Sequence, residues 1–305
     1  MDTEEVLADL FIRIRISVEL VAWFLWDYRT PKRGGRRWGV DWFRRLRVWR
    51  LFRDYFPVRL HKTADLDPSR NYVFAYHPHG VFIVGAFANF ATEANDVSSV
   101  FPGINIQMST LVGQFWFPLR REYCMMTGTV DVSRESLSYV LTQKGGGQAV
   151  VVVVGGVAEI MEARPGVVTT LVLRRRRGFV RLALRHGADL VPVFSFGEND
   201  VYLQLDNPPG SKIRSFQLYL KRFLGFPPTL FFGRGLFNYS LGLLPLRRPV
   251  NTVVGRPIRV EEAIAQPTEA QVEQLHERYL AELTQLFQEN KRRFGLAENA
   301  QLKFI

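Results

Sequence analysis

The sequence predicts an α/β fold: a single mainly parallel sheet flanked by helices, preceded by N-terminal amphipathic and hydrophobic helices that associate with a membrane. Three observations predict it. Five consecutive valines, Val150 to Val154, form the unbroken β-branched run of a strand covered on both faces, as in a parallel sheet. Short apolar strands alternate with helical patterns along most of the chain. And 47% of the 305 residues are hydrophobic, enough for a sizeable core. We place the α/β domain at 58–305 and the membrane-associated segment at 1–57.

In that first segment, Val6 to Tyr28 is apolar but carries Asp9, Arg13, Arg15 and Glu19. Its uninterrupted part, Leu20 to Trp26, falls far short of the roughly 20 apolar residues that span a bilayer. Two readings stand: an interfacial helix with Trp23 and Trp26 at headgroup level, or an amphipathic helix packed on the domain. Arg29 to Arg37 is a basic linker. Asp41 to Tyr55 interleaves arginines with Trp42, Phe43, Leu46, Val48, Trp49, Leu51 and Phe52, and reads as one basic amphipathic helix suited to an anionic membrane surface.

The charge balance sharpens this. Lys+Arg 40 against Asp+Glu 29 gives +11, which points to nucleic acid, a membrane surface or a phosphorylated ligand. The interleaved aromatics and 24 Phe favour lipid, and no nucleic-acid motif is visible. One cysteine, Cys124, excludes an internal disulfide framework. The acidic start, Met1 to Glu5, has the wrong charge for a secretory signal.

The centre of the chain is the stretch Tyr72 to Tyr76, a short buried strand, followed by His77-Pro78-His79-Gly80 and the apolar run Val81 to Ala91. We read the run as a buried helix, with Pro78 near its start. Two of five histidines then sit beyond the carboxyl end of a strand, where α/β folds present chemistry. A histidine in a helix's first turn is kept neutral by the macrodipole, as a general base must be. The competing reading is a turn whose rings cap backbone groups. No metal site is expected, because the single cysteine and the histidine spacing offer no zinc ligand set.

Ile104 to Met108 reads as a strand, Phe115 to Pro118 as an apolar turn, and Ser133 as the cap of a helix running to about Gln143. The valine run ends in Gly155-Gly156-Val157-Ala158-Glu159, again an acidic residue just past a buried strand. Thr169 to Leu173 is a strand, Arg174 to Arg177 a basic turn, Phe179 to His186 a helix, and Asp189 to Phe196 a strand. A polar loop, Gly197 to Asp200, follows. Ile213 to Phe223 reads as a helix, and Thr252 to Val254 and Ile258 to Val260 as strands. Thr268 and Gln271 form a capping box. The helix behind it places Val272, Leu275, Tyr279, Leu283, Leu286 and Phe287 on one face.

These parts assemble into acyl transfer. An alcohol attacks a thioester directly; His79 takes the alcohol proton, and Glu159 holds the ring's other N–H. No Gly-x-Ser-x-Gly elbow is present to supply a covalent serine. Backbone N–H groups near Gly80, or Arg234, suit an oxyanion. Arg174, Arg175, Arg176 and Arg177 suit the phosphates of coenzyme A; a solvated turn or a phospholipid contact are the other readings.

The ordered motifs Tyr55-Phe56-Pro57, Arg70-Asn71-Tyr72, His77-Pro78-His79-Gly80, Phe101-Pro102-Gly103, Gly155-Gly156-Val157-Ala158-Glu159, Arg177-Gly178-Phe179-Val180, Ser195-Phe196-Gly197-Glu198-Asn199, Gly233-Arg234-Gly235 and Phe294-Gly295 carry a resemblance. From about residue 20 onward the chain resembles the type-2 diacylglycerol acyltransferase family, which includes the monoacylglycerol and wax-alcohol acyltransferases. The resemblance implies esterification of mono- or diacylglycerol by acyl-CoA, with no cofactor, at the cytosolic face of the endoplasmic reticulum or on lipid droplets. It assigns the base to His79, its partner to Glu159, and a structural place to His77. Oligomer formation, with itself or a relative, stays open. Animal members begin with a hydrophobic membrane hairpin, of which only a tail, Val18 to Trp26, is matched. The alternative is therefore a catalytically silent lipid-binding or partner-forming relative. Phospholipid-synthesising acyltransferases carry His followed five positions on by Asp; here those positions are Phe82 and Val84.

Overall fold

The computed structural model describes residues 15, 18, 19, 21–166, 170–208, 210–224, 228–237 and 241–305. Its strands are β1 (Val58–Lys62), β2 (Tyr72–His77), β3 (Asn105–Thr110), β4 (Val130–Asp131), β5 (Gln148–Val153), β6 (Thr170–Leu171), β7 (Asp189–Phe196), β8 (Leu203–Gln204), β9 (Phe231–Phe232), β10 (Val250–Val254) and β11 (Lys303–Phe304). Its helices are α1 (Val40–Arg44), α2 (Arg47–Tyr55), α3 (Val84–Ala86), α4 (Val97–Val100), α5 (Pro118–Met126), α6 (Arg134–Leu141), α7 (Val157–Ile160), α8 (Gly178–His186), α9 (Lys212–Leu224) and α10 (Glu269–Lys291).

The main sheet has the order β1-β10-β7-β2-β5-β3-β4. β7, β2, β5, β3 and β4 are mutually parallel. β10 runs antiparallel to β7, and β1 pairs parallel with β10, so one edge reverses the direction of the sheet. Both faces are covered. Val73, Ala75, Val150 and Val152 pack with Leu137, Phe179, Val272 and Tyr279 of α6, α8 and α10. The alternate residues Tyr72, Phe74, Tyr76, Ala149 and Val151 pack with Phe90 and Phe101 on the other side. Strand periodicity thus sends the apolar run into two cores at once, which is why it shows no polar alternation.

Local signals hold where the chemistry is local. Ser133 caps α6 by accepting the Ser136 N–H at 3.3 Å. Thr268 and Gln271 close a reciprocal capping box on α10, and all six of its predicted apolar residues are buried.

Other expectations change. The single helix over Asp41–Tyr55 is two, because Leu46 takes extended backbone with ψ 138°. Arg44 drives the break: it is buried, faces Glu93 at 3.4 Å and donates to the Phe90 carbonyl at 3.2 Å, so it is not a surface cation. The run Val81–Ala91 is not one helix either. Helical structure begins only at Val84, and Phe87–Ala91 form a π-turn. Ile258 only bridges Leu190, with no strand over 258–260. α5 starts at Pro118, the last residue of the expected Phe115–Pro118 turn, and runs to Met126 through a stretch for which no element was expected. Of the strand expected at Thr169–Leu173, Thr169 lies outside the described residues.

Residues 21–27 are helical. Among the described residues no helix is long and apolar enough to cross a membrane. The carboxyl end of this helix docks on the domain: buried Asp27 bonds Arg36 at 3.0 Å and faces Arg121 at 3.1 Å. Val21, Leu25 and Trp26 stay exposed.

Candidate active site

Three neighbouring parallel strands, β7, β2 and β5, end side by side, and each leads directly into a residue of the site. β2 runs into His77 and His79, β5 into Gly155 and Glu159, β7 into Glu198. His79 and Glu159 lie beyond strand carboxyl ends as expected, whereas His77 is the last residue of β2 itself, and the sheet brings together residues 80 positions apart.

Glu159, 2% exposed, accepts the backbone N–H of His79 on Oε2 and that of Val172 on Oε1, both at 2.9 Å. Its carboxyl lies over Gly155, where any Cβ would overlap it. That is the physical reason for glycine at this position. The contact with His79 differs from the expected one: Glu159 takes the main-chain N–H, not the ring. Instead, His79 Nδ1 lies 3.0 Å from the Gly80 carbonyl oxygen. A carbonyl only accepts, so this bond puts the proton on Nδ1 and leaves the lone pair on Nε2. Burial pushes the His79 pKa down, outweighing the Gly80 carbonyl and Glu159, which both act to raise it. Neutrality thus has its source in desolvation, not in a helix dipole, because His79 lies outside any helical turn.

His77 is fully buried. Its Nε2 is 3.0 Å from the Tyr279 hydroxyl, which donates to the Ala75 carbonyl at 3.1 Å. Its Nδ1 faces Glu159 Oε1 at 3.9 Å. Glu198 occupies the other flank. It is 1% exposed and accepts from Tyr76 Oη at 2.7 Å, Ser195 Oγ at 3.1 Å and the Gly85 N–H at 3.0 Å. Burial raises its pKa to about 7 against those bonds. A Cβ on Gly80 would come within 2.8 Å of Glu198 Cγ, so the His79 turn is wedged between two buried carboxylates.

The arginines divide. Arg175, Arg176 and Arg177 line a cavity of about 620 Å³. Arg174 lines a different one, which Arg177 also borders, and donates to the Phe304 carbonyl at 3.2 Å. Arg234 donates to the Tyr55 hydroxyl at 2.7 Å and lines neither. Glu273, His276 and Glu277 bring donor atoms within 4.8 Å of one another. Arg177 sits 2.5 Å from Glu273, however, so a cation already occupies that carboxylate.

The family described as diacylglycerol acyltransferase matches residues 10–305. The chain belongs to that family. This acyltransferase is 49% identical to 2-acylglycerol O-acyltransferase 1 of Bos taurus over 284 residues, 93% of this chain and 84% of the relative. It is 50% identical to diacylglycerol O-acyltransferase 2 of Danio rerio over 94% of this chain and 79% of the relative. Against the Homo sapiens diacylglycerol O-acyltransferase 2 the figures are 47%, 94% and 74%. Among solved structures, the 1-acyl-sn-glycerophosphate acyltransferase of Thermotoga maritima superposes on 89% of the chain, and 97% of its own, with a TM-score of 0.38 and 12% identity.

Two site residues of this acyltransferase escaped sequence reasoning. Tyr279 reads as an ordinary member of an apolar helix face, and nothing local says that its hydroxyl reaches a histidine 202 positions away. Glu198 reads as part of a polar loop. Two signals mark it: its place in the motif Ser195 to Asn199, and its position, like that of Glu159, just past a largely buried strand.

Proposed function

We propose that this chain transfers the acyl group of acyl-CoA to the free hydroxyl of a mono- or diacylglycerol, with His79 as general base. The observation that carries the reading is the His79 tautomer: Nδ1–H on the Gly80 carbonyl, Nε2 free, in a desolvated ring. The acceptor oxygen attacks the thioester carbonyl as Nε2 takes its proton. The C–O bond forms, the C–S bond breaks, and the imidazolium returns the proton to the leaving thiolate. Glu159 acts on the base through the backbone, fixing the His79 turn, and its charge favours the transient imidazolium. His77, tied to Tyr279, braces the strand end beneath. Mono- and diacylglycerol are the acceptors that the names of the relatives support.

Arg175 to Arg177 are the favoured phosphate contacts. The surface supports work at a lipid interface: Trp26, Trp38 and Trp42 are exposed beside Arg29, Arg37 and Arg45. The cytosolic face of the endoplasmic reticulum and the lipid droplet are the locations we propose.

The deciding experiment is radiolabelled acyl-CoA transfer to each acceptor in detergent. Ester formation that falls roughly 100- to 10,000-fold in His79→Ala is the expected result. No ester with any acceptor, or full turnover by the variant, overturns the reading.

A further inference from the structure

Between α6, the end of β5 and α8 lies the 620 Å³ cavity whose rim carries three of the predicted arginines. Three more line it from other turns: Arg134 on α6, and Arg181 and Arg185 on α8. Two of the six are already matched to acids, Arg177 to Glu273 and Arg181 to Glu269, each at 2.5 Å. Arg134, Arg175, Arg176 and Arg185 have no carboxylate partner among the described residues. The Nε atoms of Arg177 and Arg185 are buried without an acceptor. Beneath the guanidiniums the wall is apolar: Val152, Val154, Leu137 and Leu182.

Arg134, Arg175 and Arg176 are exposed at the rim and Arg185 is half-buried with its Nε unpaired, so like charges crowd one edge and a buried N–H lacks an acceptor. His186, bonded to Ser138, is held below its ordinary pKa first by burial, then by the nearby charges of Arg185 and Arg134. The wanted occupant carries several negative charges and an apolar arm. The cavity also has a direction. Val154 adjoins Gly155, the residue on which Glu159 rests, and Arg176 reaches towards the Gly155 carbonyl. Arg185 lies two turns along α8 from Gly178, about 10 Å further out.

We infer that this cavity seats the nucleotide half of acyl-CoA, its phosphates on Arg134 and Arg185 at the outer end and its arm running along Val154 towards Gly155. This rests on the acyl-CoA reading above. It adds two arginines from separate helices and removes Arg174, which faces the other cavity. Guanidinium forks suit phosphate oxygens, and the unmatched Nε donors find acceptors on binding.

The test uses the full chain in detergent. In the double variant Arg134→Ala/Arg185→Ala, KM for acyl-CoA rises about tenfold or more, while kcat and KM for the acylglycerol stay within about twofold. Exposed Arg259→Ala changes neither. Arg134→Lys/Arg185→Lys, which keeps the charge, restores part of the loss and shows that the fold survives. Calorimetric titration with 3′,5′-ADP gives binding in wild type that the alanine pair abolishes and dioleoyl phosphatidate micelles do not displace. Turnover with unchanged KM in the alanine pair overturns the cavity assignment and leaves the acyl-transfer reading standing. So does displacement by phosphatidate, which identifies a lipid headgroup instead. If wild type makes no ester, the acyl-transfer reading fails, and the titration alone decides the cavity: binding lost in the alanine pair supports it, binding unchanged or absent from wild type overturns it.

Discussion

Glu159 and Glu198 invite comparison. Both are buried, both follow a strand that borders β2, and both press on the His79 turn from opposite flanks. Their partners differ in kind. Glu159 takes two main-chain N–H groups, one on each oxygen. Those donors cannot reverse, so the site requires two acceptors. Glu198 takes two hydroxyls and one main-chain N–H. Hydroxyls rotate and can accept as readily as they donate, and Ser195 has a second hydroxyl partner in Thr252 at 3.0 Å. Equal burial therefore conceals unequal demands: one position needs a carboxylate, the other needs any group that fills the space and satisfies one N–H.

The largest effect comes from removing the room that Glu159 uses. Gly155→Ala places a methyl where the carboxyl lies, so the carboxyl must leave and the His79 and Val172 N–H groups lose their acceptor. Two unsatisfied buried donors, at about 1–3 kcal/mol each, predict a loss of turnover of roughly a hundredfold or more. Acyl-transfer assays measure it. Near-normal turnover would mean that Glu159 does not hold the base's turn.

Next in size is the difference between the two glutamates themselves. Glu159→Gln turns one acceptor into a donor that faces another N–H, and turnover falls between about tenfold and a hundredfold. Glu198→Gln lets Tyr76 or Ser195 reverse its hydroxyl, and turnover stays within about threefold. Parallel kinetics on the two variants give the comparison directly. Equal losses would put both glutamates in the same role.

The same contrast explains what was legible in the chain. Patterns generated by neighbours in sequence survive into the structure: the valine run, the α10 apolar stripe, the Ser133 and Thr268 caps. The site was half legible, because strand ends mark where chemistry is presented and a glycine pair marked Glu159. What failed was decided across the fold. Arg44 is pulled inward by Glu93 and splits an expected helix. The apolar stretch after Gly80 has no signal for its late helical start, which depends on Glu198 binding the Gly85 N–H. Arg174 and Arg175 are adjacent yet line different cavities, because α10 and the carboxyl terminus meet this turn from outside it.

Titration of Glu198 gives a smaller effect of defined sign. Burial raises the Glu198 pKa from 4.5 to about 7, whereas in the unfolded chain it returns to the ordinary value. Below pH 4.5 both states hold the proton and the group costs nothing. As pH rises towards 7 the unfolded chain releases that proton while the folded chain retains it, so stability falls across this window, by up to a few kcal/mol, and levels off above it. Urea unfolding followed by tryptophan fluorescence, repeated from pH 4.5 to 8, should therefore show a declining midpoint in wild type. Glu198→Gln cannot titrate and should flatten the decline while keeping the hydrogen bonds. An unchanged slope in that variant would assign the decline to another group and leave Glu198 ionised in the core, a second obligatory carboxylate after all.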